Sequence, residues 1–432
     1  MRSHLVLLVA FALAACSDPA ASPTDAGPMR DGPVWAGDDG VAPDAGPDAA
    51  PLDTDAAPSA RVIGELPDLP GACAAGTTRI DIRTVTEMED ASRGDASPEG
   101  TCFFVHNGVY TQRGSTLPLY FTRGGTTAAP IDWVGESRTG VIIHGRAAFE
   151  TGLAHFRLRN MTFDLTGYSQ TGSFNTITVF SDDVQLSHLT LTGDCMTGLR
   201  GGHIEVDGGA GNILIESSLV ERFGQCTGDG HLDHGIYLAG GHDITIRNNT
   251  IRGNSSRGIQ LNTEGGAFGT LANVTIEQNR IYENGHRDYE DGIVMNGSGT
   301  GTITGVSIRY NLFYRNYYSA IRFTGDVISG VVITNNTFVD DGMASSGTGR
   351  SELNLDVGTP AASASANIFQ VERTVVNVCD AMLSIADNVV VGDASGACVT
   401  GTVTADPMFT NAAADDYHTG NAAVAGYGAY AP

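Results

Sequence analysis

The chain has 432 residues, with 49 acidic side chains against 24 basic ones and a formal charge of -25 at pH 7. So acidic a composition argues against nucleic acid as a partner and against any broad attraction to polyanions. All 24 basic residues are arginine, which excludes every reaction scheme that needs a lysine.

Met1 to Cys16 starts with Arg2, continues as an apolar run and ends in Leu13-Ala14-Ala15-Cys16. The run is too short to cross a bilayer as a mature helix and reads as a secretory signal. Its end resembles the lipobox of bacterial lipoproteins, in which the cysteine becomes the acylated first residue. That resemblance implies lipidation of Cys16, export, and a lipid anchor as the sole membrane contact, with the outer membrane or cell surface as the expected destination. Residues 17–60 are built from Pro, Ala, Gly, Ser and Asp and carry nine Asp against one Arg. Such a stretch cannot form a core and is expected to be a disordered, solvated linker. Setting aside Arg2 and the linker's net -8 leaves -18 on residues 61–432, the expected folded domain, for which a monomer is expected.

Six cysteines follow Cys16, an even number in an exported chain, so disulfides are expected. Cys195 and Cys226 stand at similar phases of adjacent repeats, and Cys73–Cys102 and Cys379–Cys398 are the nearest remaining pairs; the count alone leaves the connectivity open. No CxxC or clustered Cys/His spacing supports a zinc site.

Within the domain a short pattern returns six times: hydrophobic, any, hydrophobic, two any, Asn, any, hydrophobic. It appears as Ile244/Ile246/Asn249/Ile251, Val274/Ile276/Asn279/Ile281, Val306/Ile308/Asn311/Phe313 and Val331/Ile333/Asn336/Phe338, then as Ala362/Ala364/Asn367/Phe369 and Leu383/Ile385/Asn388/Val390. The asparagines recur every 20 to 32 residues or so, the length of one coil of a parallel β-solenoid. Each unit is an alternating strand, a bend at Asn and a second short strand. Asn is expected at the bend because its amide tolerates left-handed backbone angles. Coils about 4.8 Å apart would also let the amides bond to one another as a ladder. The fold expected is all-β, a right-handed single-stranded parallel β-helix of about ten coils with three sheets.

A second strand recurs between the Asn motifs, as His203–Asp207, Gly235–Leu238, Gly258–Asn262, Gly292–Asn296 and Ala320–Phe323. Alternation puts Ile and the next-but-one hydrophobe inside and the others outside. One expected outward column is Glu205, Tyr237, Gln260, Val294 and Arg322; the other is Asp207, Ala239, Asn262, Asn296 and Thr324.

From about residue 78 the chain resembles right-handed parallel β-helix proteins of the pectate-lyase-like superfamily. The residues that carry this are Val105-His106-Asn107-Gly108-Val109-Tyr110, Gly124 to Ile131, Val141-Ile142-Ile143-His144-Gly145, and the closing Asp406-Pro407-Met408-Phe409 with Asp416-Tyr417-His418. The resemblance implies a carbohydrate-active protein acting on an extracellular polysaccharide, lyase-like in chemistry; the alternative is a non-catalytic glycan-binding or adhesion lipoprotein. The Lys–Arg pair of related lyases has no counterpart here. Asp182-Asp183 lacks the companions it has in polygalacturonases, and the epimerase pattern Tyr-Gly-Phe-Asp-Pro-His is absent.

The densest polar stretch runs from Asp229 to Tyr237. β-Elimination from a uronic acid needs a base near the C5 proton and a cation to neutralise the carboxylate. His231, His234 or Tyr237, with Asp233, would supply the base. Arg257 and Arg322 would neutralise, with Glu205, Gln260, Asn262 and Asn296 contacting the polymer. No cofactor is required, although a Ca2+ on Asp207 and Asp229, helped by Glu205 and Asp233, would do the same work. Hydrolysis would instead pair Asp233 with Asp207 or Asp291, about 5 to 9.5 Å apart. The blander reading makes Arg257 and Asp291 an ordinary ion pair between neighbouring coils, and Arg247, Glu277 and Arg309 a solvated charge ladder.

Overall fold

In the computed structural model, the residues described are 63–432 without 65, 68–69, 95–98, 115–116, 150, 168–174, 195–196, 202–209, 225–233, 264–268, 287–289, 344–350, 357–359 and 394–397. They form a parallel β-helix. A 13-stranded sheet runs the length of the coil stack from Thr78–Ile82 to Val399–Thr400. Ile244, Val274, Val306 and Val331 pair in register along it and are fully buried. The sequence expectation of a stacked interior column is met.

The other two strands of each coil fall in two files. One follows the Asn bend, as Thr250–Arg252, Arg280–Tyr282 and Leu312–Tyr314; the other follows a second bend, as Ile236–Ala239, Ile259–Asn262 and Ile293–Asn296. They merge into one 20-stranded sheet rather than two. The merger has a local cause. Ile368–Val376 runs straight through the corner and pairs with both Thr337–Val339 and Ser351–Leu355.

The bend itself is built differently from expectation. The left-handed residue is the one before each ladder asparagine: Asn248, Gln278, Tyr310, Asn335, Ala366 and Asp387, with φ between 52° and 56°. The ladder asparagine serves hydrogen bonding instead. Asn249 donates from Nδ2 to Asn279 Oδ1 at 3.0 Å and to the Ile215 carbonyl at 2.9 Å, and the links continue through Asn311, Asn336, Asn367 and Asn388. All six are buried, so each amide satisfies backbone groups that water cannot reach.

A second amide ladder, not anticipated from the sequence, lines the next corner. Asn254, Asn284 and Asn316 link at 2.9 and 3.0 Å, and Asn316 then donates to Asp341 Oδ1 at 2.7 Å. On the outer face of the long sheet, Arg247 meets Glu216 and Arg309 meets Glu277, each at 2.8 Å, the expected charge ladder.

Both ends carry additions. A nine-residue helix, Val85–Arg93, starts in a Thr84/Glu87 capping box. The last segment forms an antiparallel hairpin, Phe409–Asn411 with Asp416–Thr419. Cys73–Cys102 and Cys379–Cys398 are disulfide-bonded; Cys195–Cys226 and Cys16 lie outside the described residues.

Candidate functional site

The outward side chains of the file after the second bend come from successive coils in strict register. Tyr237 pairs with Gln260, Gln260 with Val294, Val294 with Arg322 and Arg322 with Asn354. Asn262 pairs with Asn296 in the neighbouring column. His234 and Arg257 precede Gly235 and Gly258 at one repeat phase, as Asp291 precedes Gly292: Gly235 N–H donates to the Arg257 carbonyl and Gly258 N–H to that of Asp291. The wall therefore gathers His234, Tyr237, Arg257, Gln260, Asn262, Asn296 and Arg322.

The register opposite Tyr237, expected to bring Glu205, brings another residue. The strand that precedes Ile236–Ala239 is Thr197–Gly201, and the residue opposite Tyr237 is Arg200. Glu205, Asp207, Asp229, His231 and Asp233 all lie outside the described residues, and with them the Ca2+ site and the Asp233 carboxylate pairs. Among the described residues no group of three His, Cys, Asp or Glu side chains is placed to hold a metal ion.

Charge on the wall is organised around Glu290, one of the acidic residues of the 288–291 stretch that the sequence places along the groove. Arg257 donates to it twice, from Nε and Nη2, both at 3.0 Å, and uses Nη1 on Gln260 Oε1 at 2.9 Å. The ion pair of Arg257 is thus with Glu290, not with Asp291 as expected. Asp291 is fully buried and accepts from the Ser319 hydroxyl. Burial, with Glu290 beside it, pushes its carboxyl well above the usual carboxylate range.

Arg322 is held more loosely. Its Nη1 is 3.6 Å from both Glu290 and Asp291, and its Nη2 bonds Asp356 at 2.7 Å. Its guanidinium lies 5.1 Å from the centre of the Tyr318 ring. Its Nε is buried without a hydrogen-bond partner among the described residues, so Nη1 and Nη2 carry its polar contacts.

The candidate bases are enclosed. His234 is 3% exposed and Tyr237 9%; their rings stand 5.6 Å apart, and Asn262 donates to the Tyr237 hydroxyl at 3.0 Å.

A family model described as "Right handed beta helix region" matches residues 168–338. No curated protein matches the chain. Among solved structures, a PL6 family alginate lyase, AlyGC, is similar with a TM-score of 0.51 at 13% identity, over 81% of this chain and 56% of that one. This chain therefore spans little more than half of that enzyme. The pectate lyase Pel9A superposes with a TM-score of 0.47 at 17% identity, over 79% of this chain and 85% of that one. PfbA, a surface adhesin of Streptococcus pneumoniae, does so with a TM-score of 0.47 at 12% identity, over 71% and 80%. At these identities the likeness concerns the fold alone.

Proposed function

We propose that the protein is a carbohydrate-active β-helix protein that acts on an extracellular polysaccharide, with lyase-like elimination from a uronic acid as its chemistry. The observation that carries the reading is Arg322: an arginine on the outward wall, 19% exposed, whose Nη2 is bound to a carboxylate that is itself 45% exposed. A uronate carboxylate taking the place of Asp356 would meet a guanidinium already oriented by Glu290 and Asp291. Arg257 suits that task less, since Glu290 and Gln260 already engage Nε, Nη1 and Nη2. Of the expected bases, Tyr237 stands three coils from Arg322 in the same column, about 14 Å at strand spacing, so the two would contact different sugar residues of a polymer lying along the wall.

Non-catalytic glycan binding is the second reading, favoured by the enclosure of His234 and Tyr237. The anchoring reading complements both: Cys16 would be lipidated and the Asp-rich stretch would hold the β-helix off the membrane of an exporting bacterium.

A panel of uronic-acid and neutral polysaccharides, followed by unsaturated-product absorbance, reducing ends and retention on immobilised glycan, tests the proposal. Elimination products that vanish in Arg322→Ala support lyase chemistry. Retention without product supports binding. Neither product nor retention on any member of the panel would sink both readings.

A further inference from the structure

The second amide ladder ends in acid. In each earlier coil the corner asparagine accepts through Oδ1 and passes a hydrogen on from Nδ2 to the next coil, as Asn254 does to Asn284 and Asn284 to Asn316. Asp341 receives this chain, accepting at Oδ1 from both the backbone N–H and the side-chain amide of Asn316, each at 2.7 Å. The next coil offers no further amide, because Ile368–Val376 runs straight through the corner.

Glu352 supplies the missing partner. It sits one residue before Leu353, which pairs with Ile321, so it occupies the repeat phase of Gly258, Gly292 and Ala320. At Gly258 and Gly292 a Cβ would come within 3.0 Å of the ladder amides of Asn284 and Asn316. The small residues make room for the ladder where it continues; the large one appears where it stops. Glu352 is 2% exposed; its carboxyl faces that of Asp341, and Asp341 Oδ2 and Glu352 Oε2 are both buried without another hydrogen-bond partner among the described residues. Two carboxylates offer only acceptors, so a bond between them requires a proton.

We propose that Asp341 and Glu352 share one proton in place of the missing amide link, and that its loss opens the corner at residues 340–343. This corner borders an open cleft lined by Arg315, Asp340, Asp341, Gly342, Glu372 and Arg373, so the device makes one wall of that cleft sensitive to pH. The facing charges do not relieve the pair. Arg315 is engaged by Glu283 and Asp415, Asp340 adds negative charge beside both acids, and Glu372 and Arg373 on the next coil are exposed. Burial first, then the partner carboxyl, raises Glu352, and burial raises Asp341 to about 7. Raised carboxyls stabilise the corner fully below the ordinary carboxylate range, and the contribution fades as pH rises through the folded value.

Hydrogen exchange on the full chain, corrected for intrinsic rates, tests this at the Asn316 amide, which donates to Asp341, and at the Gly342 amide, which donates to the Asn316 carbonyl. Above about pH 7 their protection should fall by about tenfold per pH unit, the slope of a single linked proton. Asp341→Asn restores the amide and should flatten the slope at both positions; Glu352→Gln should do so independently, should the first variant fail to fold. Protection that does not vary with pH in the parent, or a slope that survives in a folded variant, would overturn the proposal.

Discussion

Arg257 and Glu290 are joined by two parallel hydrogen bonds, both 3.0 Å, across adjacent coils. Their side chains are 19% and 7% exposed, so little solvent screens the pair. Glu290 also faces Arg322 at 3.6 Å. Replacing it with alanine strands the Arg257 guanidinium in a largely buried setting and takes one of three facing carboxylates from Arg322, which costs about 3 kcal/mol. Urea unfolding of Glu290→Ala should show that loss. Arg257→Ala should be destabilising too, which separates it from a residue that serves substrate alone; a variant as stable as the parent would show that the pair has no structural weight.

Asn279→Leu keeps the volume and removes the amide from the middle of the first ladder. The backbone and side-chain N–H groups of Asn249 lose their acceptor, and the Ile246 carbonyl loses its donor. With buried groups left unpaired at about 1 to 3 kcal/mol each, the total should reach about 3 kcal/mol or more. Ser329→Ala, at an exposed position of the long sheet, should change stability by under about 0.5 kcal/mol. Equal melting temperatures for the two variants would refute the ladder's role.

The first ladder was legible because two signals coincide there: paired inward hydrophobes and an asparagine at constant offset. The second ladder was written equally plainly, five residues on, as Asn254, Asn284 and Asn316. It went unread because the strand between the two corners has only three residues, too few to show a period of two. Arg200 was missed for a related reason: Thr197–Gly201 has glycine at two of its five positions, while the sequence of His203–Asp207 displays the cleaner alternation. Of the candidate wall, Tyr237, Gln260 and Arg322 followed from alternation alone. Glu290, Ser319 and Asp356 sit outside the strands, and only folding brings them to the arginines.

Asp291 should make stability fall with pH. Its carboxyl is raised by burial and by Glu290 to about 7, above its unfolded value. Its contribution is therefore complete below the ordinary carboxylate range and is lost as pH rises through about 7. Asp291→Asn still offers an acceptor to Ser319 and removes the ionisation. Urea unfolding from about pH 5 to about pH 8 should show a shallower decline for the variant than for the parent; parallel curves would exclude Asp291 as the source.

Gly64 and Gly71, near the start of the described residues, bond to the outside of the stack in the reverse order of the coils. Gly64 N–H bonds the Gln278 carbonyl, Thr250 Oγ1 donates to the Gly64 carbonyl, and Gly71 N–H bonds Glu136, five rungs away. Seven residues reach about 23 Å when extended and five rungs measure about 24 Å, so the two contacts of this strap stand about as far apart as its length allows. In a solenoid each coil otherwise touches only its neighbours, and the strap ties the first coils to the middle ones. Its fit at Gly71 is close: a Cβ there would stand 1.8 Å from the Gly135 carbonyl oxygen. Gly71→Ala should therefore detach the strap at its C-terminal end while Cys73–Cys102 still holds the chain beyond it. The expected result is faster proteolysis between Leu66 and Gly71 and faster amide exchange in Ile131–Gly135, with exchange in Val306 to Ile333 unchanged. Uniform acceleration through all coils would show that the strap supports the whole solenoid instead, and no change would show that it only rests on the surface.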